Sequence, residues 1–112
     1  MRDQVLLIQS SIRIRADGHT PIVDAIGAYY GRSFGSIEEA LGIDDYVVVD
    51  RNEANDITGI ERDTMDDSFA GPPIWDALAP WVDAGNFLAY RQTYDGLTYR
   101  VVFDGHGGYE ET

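Results

Sequence analysis

Carboxylates are by far the most numerous side chains able to do chemistry: 14 Asp and 6 Glu stand against 8 Arg, with no Lys and no Cys. The net charge is −12. The acids are crowded. Residues 37–67 hold Glu38, Glu39, Asp44, Asp45, Asp50, Glu53, Asp56, Glu61, Asp63, Asp66 and Asp67 against two Arg, a net −9, while residues 1–36 carry +1 and residues 68–112 carry −4. A GC-rich genome or a salt-adapted proteome raises acidity, but spreads it over the whole surface. Crowded like charge repels itself and costs stability, and is most easily tolerated where something positive binds. In an extended loop Asp50, Glu53 and Asp56 would stand roughly 10 Å apart at ~3.3 Å per residue. Duplex DNA carries a charge every ~1.7 Å of its axis, so such a row is a coarse copy of a phosphate backbone. Asp44, Asp45, Asp50, Glu53, Asp56, Asp63, Asp66 and Asp67 are therefore the expected contacts to a basic protein surface.

The same segment spells a second chemistry. Asp50-Arg51-Asn52-Glu53-Ala54-Asn55-Asp56-Ile57-Thr58-Gly59-Ile60-Glu61 has the length of an EF-hand calcium loop. Asp50, Asn52 and Glu61 stand at its first, third and twelfth positions, and Ile57 at its apolar eighth. Asp50, Asn52, Asp56 and Glu61 are the ligands that this alternative offers. Ala54 brings no oxygen to the fifth position, and Asn55 replaces the turn glycine at the sixth. The incoming Val47-Val48-Val49 reads as strand, where an EF-hand has helix. An acidic hairpin loop is the competing identity.

Catalytic patterns are thin. His19 and His106 are tied to no Ser by any motif, and there is no Gly-x-Ser-x-Gly elbow, P-loop or dinucleotide fingerprint. A carboxylate pair for hydrolysis can be drawn in any acidic chain. The expectation is a binding protein without enzymatic activity or cofactor. At this charge it is not expected to bind nucleic acid directly.

The elements that position these residues read as one α+β domain over residues 1–112. Val5 to Arg15 is a strand, with Leu6, Ile8, Ile12 and Ile14 on one face. Thr20-Pro21 opens a helix that Gly31 stops. Ser36-Ile37-Glu38-Glu39 has capping-box spacing and starts a short helix. Tyr46-Val47-Val48-Val49 reads as a central strand, and Ile57 to Arg62 as another. Gly71-Pro72-Pro73 introduces a helix from Ile74 to about Ala84 that Pro80 kinks or splits, with Trp75 and Trp81 as core anchors. Asp95-Gly96 predicts a two-residue hairpin turn. That turn would pair Tyr94 with Leu97, Gln92 with Tyr99, Tyr90 with Val101 and Leu88 with Phe103. It would also set Arg91 opposite Arg100, an unfavourable pair that calls for nearby acids or a partner. The order predicts a small antiparallel or mixed sheet of about four or five strands, with two or three helices packed on one face.

Three short stretches resemble known families. Val102-Phe103-Asp104-Gly105-His106-Gly107-Gly108 resembles a metal-binding signature of metal-dependent Ser/Thr phosphatases, with a faint upstream echo in Arg62, Met65, Asp66 and Asp67. That family's large β-sandwich and later Asp motifs have no room after Gly108, so no catalytic role is expected. Tyr29-Tyr30-Gly31 before an acidic short helix is similar to barstar, an acidic ribonuclease inhibitor. Trp75, Leu78-Ala79-Pro80, Gly85, Phe87-Leu88, Gly96 and Tyr99-Arg100-Val101-Val102-Phe103 resemble small uncharacterised proteins of phages, plasmids and their bacterial hosts. The last resemblance implies a mobile-element origin and no particular activity. Joined to the acidic segment, it predicts an inhibitor of a nucleic-acid-binding enzyme by DNA mimicry, of the anti-CRISPR, anti-restriction or nuclease-inhibitor kind. A calcium module and an immunity protein to a toxin are the alternatives, and self-association as a homodimer stays open. Met1-Arg2-Asp3-Gln4 does not open a signal peptide. No apolar run reaches the ~20 residues of a membrane helix, so a soluble cytoplasmic protein is expected.

Overall fold

The computed structural model describes residues 5–62, 71–93 and 95–112. In chain order its elements are β1 (Val5–Ser11), α1 (His19–Tyr30), α2 (Ile37–Gly42), β2 (Tyr46–Arg51), β3 (Ile57–Arg62), α3 (Pro72–Leu78), β4 (Phe87–Gln92), β5 (Thr98–Phe103) and β6 (Tyr109–Glu111). The class is α+β. The six strands form two antiparallel sheets: four strands in the order β1-β4-β5-β6, and a ribbon of β2 with β3. Ile14 joins the two, exchanging backbone bonds of 2.8 and 2.9 Å with Ile57 and bridging to Val82.

Both sheets and all three helices feed one core. Ile22 and Ile26 of α1, Ile37 and Leu41 of α2, and Ile74, Trp75 and Leu78 of α3 pack with Tyr46, Ile57 and Ile60 of the ribbon. Leu88, Tyr90, Val101 and Phe103 complete it from the large sheet. Burying each Ile or Leu fully is worth about 1.5–3 kcal/mol. The helix ends follow their sequence signals. Ser36 Oγ accepts from Glu39 N–H at 3.1 Å, and Glu39 reaches back to Gly35 N–H rather than to Ser36. Gly31 closes α1 in the left-handed conformation, at φ +66°. Helix α1 starts at His19, one residue before Thr20, after a 3-10 turn over Ala16–Gly18.

Four local expectations are corrected. A bulge between Leu7 and Gln9 inserts one residue into β1 and inverts its parity. Val5 and Leu7 therefore face the core before the bulge and Ile12 and Ile14 after it, while Ile8 is left outside. The strand itself ends at Ser11. Pro80 splits the third helix as expected, but its bounds differ from Ile74 to about Ala84: α3 starts at Pro72 and ends at Leu78, and a 3-10 turn over Ala79–Trp81 ends the helical stretch. Strand β2 is not central. Among the described residues it pairs with β3 alone, and Val47 and Val49 are exposed. In the β4–β5 hairpin the register is displaced by two residues, with Leu88 opposite Val101, Tyr90 opposite Tyr99 and Arg91 opposite Thr98. Gln92 N–H bonds Leu97 C=O at 2.9 Å, and Gly96 N–H bonds Gln92 C=O at 2.9 Å, which closes a longer loop than the two-residue turn. A two-residue slip leaves the faces unchanged. It removes the Arg91–Arg100 opposition, because Arg100 now faces Ala89.

Candidate partner-binding face

The hairpin of β2 and β3 carries the acidic segment, and it sorts the expected contacts into two kinds. Asp44 and Asp56 are only 2% and 4% exposed and face inward. Asp44 Oδ1 takes Arg62 Nη2 at 3.2 Å, Asp44 C=O takes Arg62 Nε at 3.0 Å, and Asp44 Oδ2 takes Gly71 N–H at 3.4 Å. Arg62 Nη1 also donates to Val5 C=O at 2.8 Å, so one buried guanidinium ties β1 to the ribbon. Asp56 accepts from Asn52 Nδ2 at 3.0 Å, from Ala16 N–H at 2.8 Å and from Arg13 Nε at 2.9 Å. These bonds, Asn52's first, hold its carboxyl down to about 2. Both acids are internal struts whose lone pairs are taken, and neither can meet a partner. The sheet-to-ribbon seam is completed by hydroxyls that composition does not advertise: Tyr46 and Tyr90 share a 2.6 Å hydrogen bond, and Trp75 Nε1 donates to Tyr90 Oη at 3.0 Å. Burial pushes both phenols well above their usual range.

Asp45, Asp50 and Glu53 are the remaining described members of the expected set. Asp45 is partly exposed at 4.0 Å from Arg62. Asp50 and Glu53 are exposed on the hairpin, and neither is in an ion pair. Glu61, expected only as a calcium ligand, joins them: it stands exposed on β3 opposite Val47, also without an ion pair. Asp63, Asp66 and Asp67 lie outside the described residues.

An apolar feature accompanies these acids. Five large apolar side chains are exposed among the described residues, and three of them, Ile8 at 47%, Val47 at 49% and Val49 at 50%, belong to this region. Ile8 and Val49 line the same groove of about 400 Å3 between β1 and β3, with Gly59 and Glu61. Gly59 keeps the strands close there. A Cβ at Gly59 would fall 3.0 Å from Asp50 Cβ and 3.2 Å from Val49 Cγ2. Val47 stands opposite Glu61 and Asp50 opposite Gly59, while Glu53 is exposed in the loop between β2 and β3. Strand β2 adds an edge that pairs with no other strand of the described residues.

The calcium reading of residues 50–61 is corrected by the same geometry. Asn52 N–H bonds Asp56 C=O at 3.1 Å, and Asp56 N–H bonds Asn52 Oδ1 at 3.0 Å, which makes the segment a hairpin loop. Asp56 points to Arg13 and Ala16, whereas Glu61 sits five residues further along the chain, exposed on β3, so Asp50, Asn52, Asp56 and Glu61 do not converge. Among the described residues no group of three or more His, Asp or Glu side chains is placed to hold a metal ion. Asp104, the phosphatase-like acid, shapes the β5–β6 turn instead, accepting from His106 N–H at 2.6 Å and Gly108 N–H at 3.0 Å. Those two backbone donors lower its carboxyl. Tyr29 and Tyr30, the barstar-like pair, end α1, with Tyr29 exposed.

No known protein family, curated protein or solved structure matches the chain. No helix among the described residues is long and apolar enough to cross a membrane.

Proposed function

We propose that this protein binds the basic surface of a nucleic-acid-binding protein through the open face of the β2–β3 ribbon, and inhibits it by occupying the place of nucleic acid. The observation that carries the reading is the groove shared by Ile8, Val49 and Glu61, with exposed Val47 opposite Glu61 and exposed Asp50 opposite Gly59. Exposed apolar groups gathered on one patch and edged by polar residues mark interaction sites. Apolar burial supplies affinity, and the unpaired acids supply approach rate and register against positive charge. The row of Asp50, Glu53 and Asp56 is replaced by a rim of Asp50, Glu53 and Glu61, because Asp56 is a strut.

The test reverses the rim in the full chain. Asp50→Lys, Glu53→Lys and Glu61→Lys together are measured against a panel of purified restriction nucleases, CRISPR effectors and ribonucleases, by binding and by inhibition across a salt series. Inhibition of a panel member that weakens with salt and is lost in the triple variant is the expected result. Inhibition that survives the reversal, or does not respond to salt, would sink the reading.

A further inference from the structure

A cavity of about 430 Å3 lies where α1 begins, lined by His19 and Asp24 of α1, Glu38 of α2, Arg51 of β2 and Asn55 of the ribbon loop. His19 is the first residue of α1. Its Nε2 is buried and has no hydrogen-bond partner among the described residues. A buried nitrogen left so has lost its water without return, and a proton added to the ring would bring a charge into the same place. Arg51 is fixed beside it. The Arg51 Nη1 donates to Asn55 Oδ1 at 2.9 Å and to Asn55 C=O at 3.4 Å, and Nη2 donates to Glu38. This clasp ties α2 to the ribbon loop, where Asn55 takes the left-handed conformation at φ +66°. Three charged groups from other elements act on the imidazole: Arg51 of β2, Glu38 of α2 and Asp56 of the loop. Glu38 is already bonded to Arg51, and Asp56 to Asn52, Ala16 and Arg13. Neither carboxylate is free to receive an imidazolium. Asp24, on the same element as His19, also lines the cavity and is exposed. Burial first, and Arg51 second, hold the imidazole below its ordinary range, against a weaker pull from Glu38 and Asp56.

We propose that His19 is a pH-sensitive latch: neutral, it lets the start of α1, α2 and the ribbon loop pack together, and protonated it parts them at the Arg51–Glu38 clasp. The clasp gives way before the core does. Ile22 and Ile37, which anchor α1 and α2, are buried, whereas the Glu38 and Arg51 side chains are 50% and 29% exposed, and an ion pair open to water is a weak tie. The sign follows from the buried nitrogen. The folded chain disfavours the imidazolium, while the unfolded chain takes up the proton near pH ~6.5. Stability is therefore complete above ~6.5 and is lost as pH falls from there through the lower folded value. That window lies above the ~4.3 of an ordinary Glu and well above Asp56, near 2. A histidine is the side chain suited to switching there. The latch needs no partner and is independent of the ribbon-face reading, although it would loosen the loop that carries Glu53.

The full chain is titrated by NMR from about pH 8 to 5, across the ordinary histidine range, following both imidazoles and the backbone amides. His19 should titrate below ~6.5, and the amides of Glu38, Arg51, Asn52, Asn55 and Asp56 should move with it. The urea midpoint should fall over the same range in the natural chain and in His106→Gln, at an exposed position, and should stay level in His19→Gln. His19→Asn gives the same comparison where the Gln variant does not fold. Arg51→Gln should raise the His19 midpoint toward its ordinary value, which burial alone would not do. A His19 midpoint at or above ~6.5, amide movements in the clasp that persist in His19→Gln, or a His19 midpoint unmoved in Arg51→Gln would each overturn the proposal.

Discussion

Asp44 and Asp50 are the same residue type six positions apart, and they do opposite work. The Arg62 guanidinium sits beside Asp44 with both side chains nearly inaccessible, at 1% and 3% exposure. Removing one partner of a buried pair strands the other charge, which costs about 3–5 kcal/mol. Asp44→Ala should therefore lower urea stability by that amount, whereas Asp50→Ala, on the surface, should stay within about 0.5 kcal/mol. Asp56 adds a pH dependence. Its folded carboxyl titrates near 2, below the ~3.9 of an unfolded Asp. Its contribution is thus complete above about pH 4 and is lost as pH falls toward 2. Asp56→Asn should flatten that part of the acid-unfolding profile; an unchanged slope between pH 4 and 2 would contradict the role. The crowding of acids in residues 37–67 is legible in the sequence, but which of them turn inward is not. Asp56 is held by Arg13 and Ala16, 43 and 40 residues away, and no local pattern marks a partner at that distance.

Elements were legible wherever the signal is local. The Ser36 cap, the Gly31 stop, the break at Pro80 and the two strands of the ribbon depend on a few neighbouring residues, and all appear. Register and layer were not legible. A continuous run such as Val47-Val48-Val49 reads alike whether one or both of its edges are paired, and a bulge leaves no mark on the alternation of Leu6 and Ile8. The longer β4–β5 loop is open to direct test, since an inter-strand NOE should join Arg91 to Thr98 and none should join Arg91 to Arg100. Gly18 shows how closely one turn packs. A Cβ there would lie 2.4 Å from Trp81 Cγ and 2.6 Å from its Cβ. Gly18→Ala must displace the Trp81 ring and its stacking beneath Arg15, an overpacking cost of about 1–3 kcal/mol. Thermal melting together with tryptophan emission would report both parts.

At the scale of the whole molecule the two sheets share one core and turn different outer faces to solvent. Both sheets give their inner faces to one core with the helices. Their outer faces carry Ile8, Val47 and Val49 with Asp50 and Glu61 where β1 meets the ribbon, and Arg91, Arg100 and Glu110 on the large sheet. On the proposed reading, the total of −12 would set the sign of the partner that approaches, and the exposed Ile8, Val47 and Val49 would set where it lands. Salt should therefore act mainly on the association rate, and truncation of the patch mainly on the dissociation rate. The central claim is that the ribbon face is the contact. A photo-crosslinking residue placed at Val49, with Leu97 on the β4–β5 hairpin as the exposed apolar control, tests it most directly in cells that carry the gene. Crosslinks from position 49 to a basic nucleic-acid-binding protein, absent from position 97 and lost with Asp50→Lys and Glu61→Lys, are the predicted result. Equal crosslinking from both positions, or a partner from position 49 with no basic surface, would contradict it.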